Sequence, residues 1–149
     1  MKTAPLEAHL GYWLRFVSNH VSAAFAAKLA ERGITVPEWV ALRLLLDADA
    51  MAPSALARGM GMTRGGVTKL ADRLIAKGLV LRRPGTEDRR YHALELTREG
   101  RALVRVLGAL ADRNDAELFG HVKPAERAAI EAALKEIVRR HAMEAVPVE

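Results

Sequence analysis

The sequence contains no cysteine. That absence excludes disulfides, thiol nucleophiles, thiolate zinc sites and thiol-based redox sensing together. No segment approaches the roughly 18 consecutive apolar residues that a membrane-spanning helix needs. The start of the chain, Met1 to Pro5, leads into an amphipathic stretch with no apolar run of signal-peptide type. A soluble, cytoplasmic protein with no membrane partner is the expectation. The five histidines (His9, His20, His92, His121 and His141) fall at no metal-ligand spacing such as H-E-x-x-H, so no metal site and no cofactor are expected. There is no G-x-S-x-G, no phosphate-binding glycine loop and no acid pair at a strand end, so the chain is not expected to be an enzyme. Asn114, Asp115 and Glu117 fall in a helical, loop-proximal stretch and read as capping or solvating residues. Internal repeats and low-complexity linkers are missing as well.

What is present is enough for one folded domain spanning residues 1–149, with 50% hydrophobic residues. The net charge of +5 is unevenly spread. Between Met51 and Ala93 lie nine Lys or Arg (Arg58, Arg64, Lys69, Arg73, Lys77, Arg82, Arg83, Arg89 and Arg90) against three acids (Asp72, Glu87 and Asp88), a net of +6. The remainder, with 14 basic and 15 acidic residues, carries −1. A concentrated basic segment fits a polyanionic partner, because Lys and Arg that neutralise phosphates release condensed counterions. Charge alone fits a solvated face equally well.

Apolar residues at Leu6, Leu10, Trp13, Leu14, Val17, Val21, Phe25 and Leu29 step by three and four and predict one long helix. Gly33 ends it, with Arg32 in the last turn. Thr35 and Glu38 have capping-box spacing, opening a second helix through Leu46. A loop from Asp47 to Ala52 follows, then short helices near Pro53–Met60 and Arg64–Lys77, split by Gly61. Leu79, Val80 and Leu81 begin a strand, Pro84 and Gly85 turn, and Tyr91 to Leu96 alternate as a second strand. Thr97 is placed to cap a helix through Leu110. Pro124 opens a final helix carrying Ile130, Leu134, Ile137 and Val138. The expected fold is mainly α, in the order α-α-α-α-β-β-α-α.

The segment from Pro53 to Asp72, PSALARGMGMTRGGVTKLAD, matches a helix-turn-helix. Ala57 is the small residue where the helices meet, and Gly61 supplies a positive φ at the turn. Leu56, Met60, Met62, Val67 and Leu70 take inward positions. Thr63, Arg64, Gly65, Thr68, Lys69 and Arg73 face outward as the DNA-binding set for double-stranded DNA. Arg64 has the reach to chelate guanine O6 and N7, while Thr63 and Thr68 can bond phosphates or bases. Thr63 also reads as an N-cap. Gly65 and Gly66 each weaken a helix by about 1 kcal/mol relative to alanine, which close approach to the DNA backbone would explain. The hairpin LRRPGTEDRRYHALEL joins directly and forms a wing. Arg89 and Arg90 sit at its tip, suited to a narrow, negative minor groove. Asp88 pairs with a neighbouring arginine to fix the wing's geometry.

The helix-turn-helix, the wing with Asp88-Arg89-Arg90, and the following Leu96-Thr97-Arg98-Glu99-Gly100 resemble the MarR family of bacterial regulators, over nearly the whole chain. The resemblance implies a winged helix-turn-helix lobe over residues 36–96 and dimerisation helices over 5–32 and 98–142. It also implies an obligate homodimer that binds a pseudo-palindromic operator as a repressor and is released by a small, often phenolic ligand. Arg90 matches the family's wing arginine and Asp88 its partner. Redox-sensing members rely on cysteine, so that branch is excluded.

The dimer has independent support, because the first and last helices carry more apolar face than a small monomer covers. A two-fold dimer would set two recognition helices about 34 Å apart. For the effector, the resemblance points to a crevice between the dimerisation helices and the DNA-binding lobe. Tyr12, Trp13 and His20 on the first helix, with Trp39 or Arg43 on the second, are candidate lining residues. Trp13 and Trp39 fit simple core packing as well. The alternative function is a non-specific architectural DNA-binding protein.

Overall fold

In the computed structural model, which describes residues 1–85 and 92–148, six α-helices surround a three-stranded antiparallel sheet. The helices are α1 (Leu10–Ala30), α2 (Val36–Ala48), α3 (Pro53–Met60), α4 (Arg64–Ala76), α5 (Arg98–Phe119) and α6 (Pro124–Arg140). The strands are β1 (Ala50–Met51), β2 (Val80–Pro84) and β3 (His92–Leu96), in spatial order β1-β3-β2.

α1 begins at Leu10 rather than Leu6. Leu6–Ala8 instead form a 3₁₀ turn, and His9 is extended. The Trp13 indole N–H donates to the Glu7 carbonyl at 2.9 Å, a bond that accompanies this turned entry. Gly33, at φ +69°, closes α1 with its N–H on Ala30 and the Ile34 N–H on Leu29, a left-handed glycine cap. Arg32 falls just beyond the helix, and Lys28 is the cation of its last turn.

The Thr35–Glu38 capping box forms in full, and Pro37 occupies the first turn of α2. α2 runs on through Asp47, supported by an Arg43–Asp47 pair one turn apart, so the expected loop is shorter. Part of that loop is β1, where Ala50 pairs with Glu95 and Met51 with Leu94. The expected hairpin is therefore the larger part of a three-stranded sheet. Pro84 is a strand residue opposite His92, not the start of the turn. Tyr91 and the wing tip lie outside the described residues.

Gly61, at φ +61°, turns α3 into α4. Thr97 caps α5 by accepting the Gly100 N–H at 3.0 Å, while its own hydroxyl donates to the Gly78 carbonyl at 2.7 Å. α5 thereby crosses the end of α4 closely, and a Cβ on Gly100 would lie 2.1 Å from the Leu79 carbonyl oxygen.

The core lies beneath α2, α3, α4, the sheet and the first half of α5. α1 contributes only Leu29 to it fully, and no residue of α6 is buried. The molecule thus has one filled lobe and two helices whose apolar stripes stand largely in solvent. The C-terminal tail returns to the lobe, where the Val146 N–H donates to the Gly59 carbonyl at 2.9 Å.

Candidate nucleic-acid interface

α4 divides cleanly into two faces. Val67, Leu70, Ala71 and Leu74 are buried, whereas Thr63, Arg64, Gly65, Thr68, Lys69 and Arg73 are all exposed. Burying the first set fixes the second outward, as helical periodicity requires. Thr63 caps the helix by accepting the Gly66 N–H at 3.1 Å. The Thr68 hydroxyl donates to the Arg64 carbonyl at 2.9 Å, which leaves its oxygen as an acceptor. Around an ideal Cβ on Gly65 there is no atom within 4 Å, while one on Gly66 would meet the Thr63 hydroxyl at 3.2 Å. The two adjacent glycines therefore have different reasons to be there.

The basic segment is not uniformly available to a polyanion. Arg82 on β2 bonds Asp72 on α4 at 3.1 Å, tying the wing's first strand to the recognition helix. Arg83 pairs across the ladder with Glu95 at 2.7 Å. The Lys77 ammonium lies 2.6 Å from Glu38 and 2.7 Å from the Gly33 carbonyl. Among the described residues, Arg58, Arg64, Lys69 and Arg73 make no ion pair. Among the described residues of the basic segment, the cations without an ion pair are thus those on α3 and α4. Charge mapping alone does not separate the structural cations from these, and it does not single out Arg58 on the exposed side of α3. Asp88, Arg89 and Arg90 lie outside the described residues.

Glu38 is 1% exposed. Burial by itself raises its carboxyl, but the Lys77 ammonium, the Thr35 N–H and the Thr35 hydroxyl outweigh that and hold it below the ordinary carboxylate range.

The candidate effector residues do not share one crevice within the chain. Tyr12 and Trp13 meet edge to face at 5.1 Å, and Tyr12 and Phe16 at 5.0 Å. Tyr12 and His20 line a shallow concavity with Arg15, Phe16 and Asn19. Trp13 is 52% exposed, so core packing does not describe it. Trp39 is partly buried against the core and meets Phe25 edge to face at 5.9 Å, a point about 20 Å along α1 from Tyr12. Arg43 is exposed and paired with Asp47.

A different cavity, of about 300 Å³, opens between α1, α2, α5 and the tail, walled by Val21, Phe25, Val36, Ala111, Phe119 and Pro147. Its polar lining is Ser22, Asp115 and Asn114. Asn114 is 4% exposed, its Oδ1 accepting from Lys28 at 2.9 Å and its Nδ2 donating to the Val21 carbonyl. Asn114 is thus a buried tertiary contact rather than a capping residue. Asp115 pairs with Arg127 at 2.9 Å, and Glu117 with Lys28 at 2.9 Å. Each joins one helix to another, α5 to α6 and α5 to α1, which reading within a single helix does not reveal. No group of acidic or histidine residues suited to a metal occurs among the described residues. Among the same residues, no helix is long and apolar enough to cross a membrane.

A helix-turn-helix with one basic outward face, flanked by a sheet whose hairpin extends beside it, defines a winged-helix DNA-binding protein. The sequence model of the MarR family matches residues 34–92. The HTH-type transcriptional regulator YdgJ of Bacillus subtilis is 30% identical over 121 residues, covering 81% of this chain and 72% of YdgJ. The HTH-type transcriptional repressor Rv2887 of Mycobacterium tuberculosis is 29% identical over 116 residues, covering 78% of this chain and 84% of its own. Among solved structures, that of Bordetella bronchiseptica BpsR, whose DNA binding is regulated by 6-hydroxynicotinic acid, superposes with a TM-score of 0.78. Its identity is 26%, over 91% of this chain and 97% of BpsR. A cysteine-to-serine mutant of MarR from E. coli, complexed with operator DNA, gives a TM-score of 0.77 at 26% identity, covering 87% and 93% of the two chains. The chain belongs to the MarR family. It is a DNA-binding transcriptional regulator and not an enzyme.

Proposed function

We propose that the protein is a cytoplasmic repressor that binds a pseudo-palindromic duplex operator as a homodimer and is released by a small aromatic, phenolic-type ligand. The observation that carries the reading is the recognition face of α4, six exposed residues held outward by four buried ones. Thr63, Arg64, Gly65, Thr68, Lys69 and Arg73 enter the major groove, with Arg64 on a guanine edge and Thr63 beside a phosphate. Arg89 and Arg90 reach the minor groove, with Asp88 fixing the wing arginine. Residues 36–96 form the DNA-binding lobe, and residues 5–32 with 98–142 the dimerisation region.

The dimer is supported by side chains that one chain leaves in solvent. Trp13 and Val17 on α1 are 52% and 50% exposed, and Ile130 and Val138 on α6 are 54% and 45% exposed. Contiguous apolar surface of this kind marks an interface. Release by a ligand is supported by the cavity around Phe25, Phe119 and Asn114, with Trp39 backing Phe25, and by the likeness to BpsR. The concavity at Tyr12 and His20 lies on the α1 face that the partner would cover.

Selection from a randomised duplex pool near physiological salt tests the reading. The expected result is an inverted repeat with half-site centres about one helical turn apart. Salt-sensitive binding without enrichment would replace it with an architectural, non-specific protein. Absence of DNA binding would end both. On the selected operator, Arg64→Ala relaxes preference at particular bases, whereas Arg90→Ala weakens binding across sequences.

A further inference from the structure

Three helix ends meet at the Lys77 side chain. Lys77 is the C-cap residue of α4, Gly33 follows the end of α1, and Glu38 lies in the first turn of α2. The ammonium donates to the Gly33 carbonyl at 2.7 Å and to Glu38 Oε2 at 2.6 Å. The other carboxylate oxygen of Glu38 accepts the Thr35 N–H at 3.1 Å, so the carboxylate is held at both ends. Each terminus suits its charge, since a cation is favoured at the C-terminal ends of α1 and α4 and an anion at the start of α2.

Among the described residues, these two bonds are the only hydrogen bonds between the recognition helix and the α1–α2 elbow. The packed apolar face of α4 fixes its depth on the core and confines its angle to a range of about 15–20°. Hydrogen bonds are directional, so within that range the ammonium selects the angle. Leverage makes that angle matter. α4 has 13 residues, about 20 Å of rod, so a tilt of about 5° at Lys77 displaces Thr63 by about 2 Å.

We infer that Lys77, anchored by Glu38, is the positioning residue that sets the recognition helix relative to α1 and thereby fixes the half-site spacing the protein accepts. It touches no DNA itself. The inference rests on the proposed dimeric reading, in which α1 lies at the two-fold interface and α4 in the groove.

Lys77→Met alone strands a buried carboxylate and lowers stability, so it cannot separate positioning from folding. The paired change Glu38→Gln with Lys77→Met removes both charges, and the side-chain amide that replaces the carboxylate still accepts the Thr35 N–H. Lys77→Arg keeps a cation with several donors. The experiment is competitive binding of the wild type and both variants to a duplex library. In this library the half-sites are constant and the spacer is varied by single base pairs, and thermal midpoints are measured in parallel. The expected result is a sharp spacing optimum for the wild type and the arginine variant. The paired variant stays folded at the assay temperature and keeps its half-site bases, but it accepts neighbouring spacings and binds the best site about tenfold more weakly through lost preorganisation. An unchanged spacing profile and affinity in the paired variant overturns the inference while leaving the dimeric reading intact. A wild type that shows no spacing preference on any inverted repeat overturns both.

Discussion

Gly65→Ala separates what the folded chain needs from what its DNA complex needs. Gly65 is the second residue of α4, its φ is ordinary, and a Cβ there meets no atom within 4 Å. The isolated protein therefore accepts alanine without strain. Helix propensity favours alanine over glycine by up to about 1 kcal/mol in a helix interior. At the first turn roughly half of that is expected, which for a chain of this size raises the thermal midpoint by about 1–2 °C. If α4 enters the groove N-terminus first, the new methyl points to where the DNA backbone approaches. Overpacking of this kind costs about 1–3 kcal/mol, which corresponds to operator binding weaker by roughly 5- to 150-fold. The assay is operator affinity by fluorescence anisotropy across a salt series, with the midpoint measured by differential scanning fluorimetry. A raised midpoint with unchanged affinity refutes the close approach and with it this docking of α4. The adjacent Gly66→Ala is the control. Its Cβ would lie 3.2 Å from the Thr63 hydroxyl and 3.3 Å from the Met62 methyl carbon, so its midpoint gain is expected to be smaller than that of Gly65→Ala.

Gly100→Ala places a Cβ 2.1 Å from the Leu79 carbonyl oxygen, so α5 must shift against backbone. Even after the gain in helix propensity, stability falls by about 2 kcal/mol, read as a lower denaturant midpoint, and an unchanged midpoint would show that the crossing relaxes freely. Glu38 contributes stability fully above the ordinary carboxylate range, and this is lost as pH falls through its lowered folded-state value. An acid titration of stability is therefore steeper in the wild type than in Glu38→Gln, and equal slopes contradict the pairing. Ile137→Asp, on the exposed stripe of α6, is expected to give monomers in sedimentation velocity at concentrations where the wild type is dimeric. Operator affinity should fall to that of a single half-site, and a variant that remains dimeric removes α6 from the interface.

Features decided within four residues were legible in the sequence. The Thr35–Glu38 box, the Thr63 and Thr97 caps, and the left-handed Gly61 all depend on local hydrogen bonding or on one backbone angle. The two faces of α4 were legible because an apolar period of three to four can be buried in only one orientation. β1 was not, because two residues offer no alternation and their partners lie more than 40 positions away on β3. The start of α1 was misplaced because Leu6 continues the apolar period, while the turned entry is accompanied by a Trp13 bond to the Glu7 carbonyl that periodicity does not show. Charge mapping treated Lys77, Arg82 and Arg83 as equivalents of Arg64. The acids that engage them lie 39, 10 and 12 residues away in sequence. Asn114 was misread for the same reason, since Lys28 is 86 residues distant.

Periodicity also leaves unstated which apolar stripes a chain can fill by itself. The stripes of α1, α4 and α6 look alike in sequence, but Val67, Leu70 and Leu74 of α4 are at most 1% exposed, while Ile130, Leu134, Ile137 and Val138 of α6 are 38–54% exposed. The core of the DNA-facing lobe is closed within one chain, so that lobe does not need a partner to fold. The α1 and α6 stripes stay largely exposed in the single chain, and the proposed dimer would cover them. Full burial of each such side chain contributes about 1.5–3 kcal/mol, so completing even part of both stripes in a second copy supplies a substantial driving force. In the proposed dimer this energy becomes available only on association. Operator occupancy is then linked to protomer concentration by mass action, in addition to any ligand. In that proposed dimer, the helices that the single chain leaves uncovered would make the regulator respond to its own abundance.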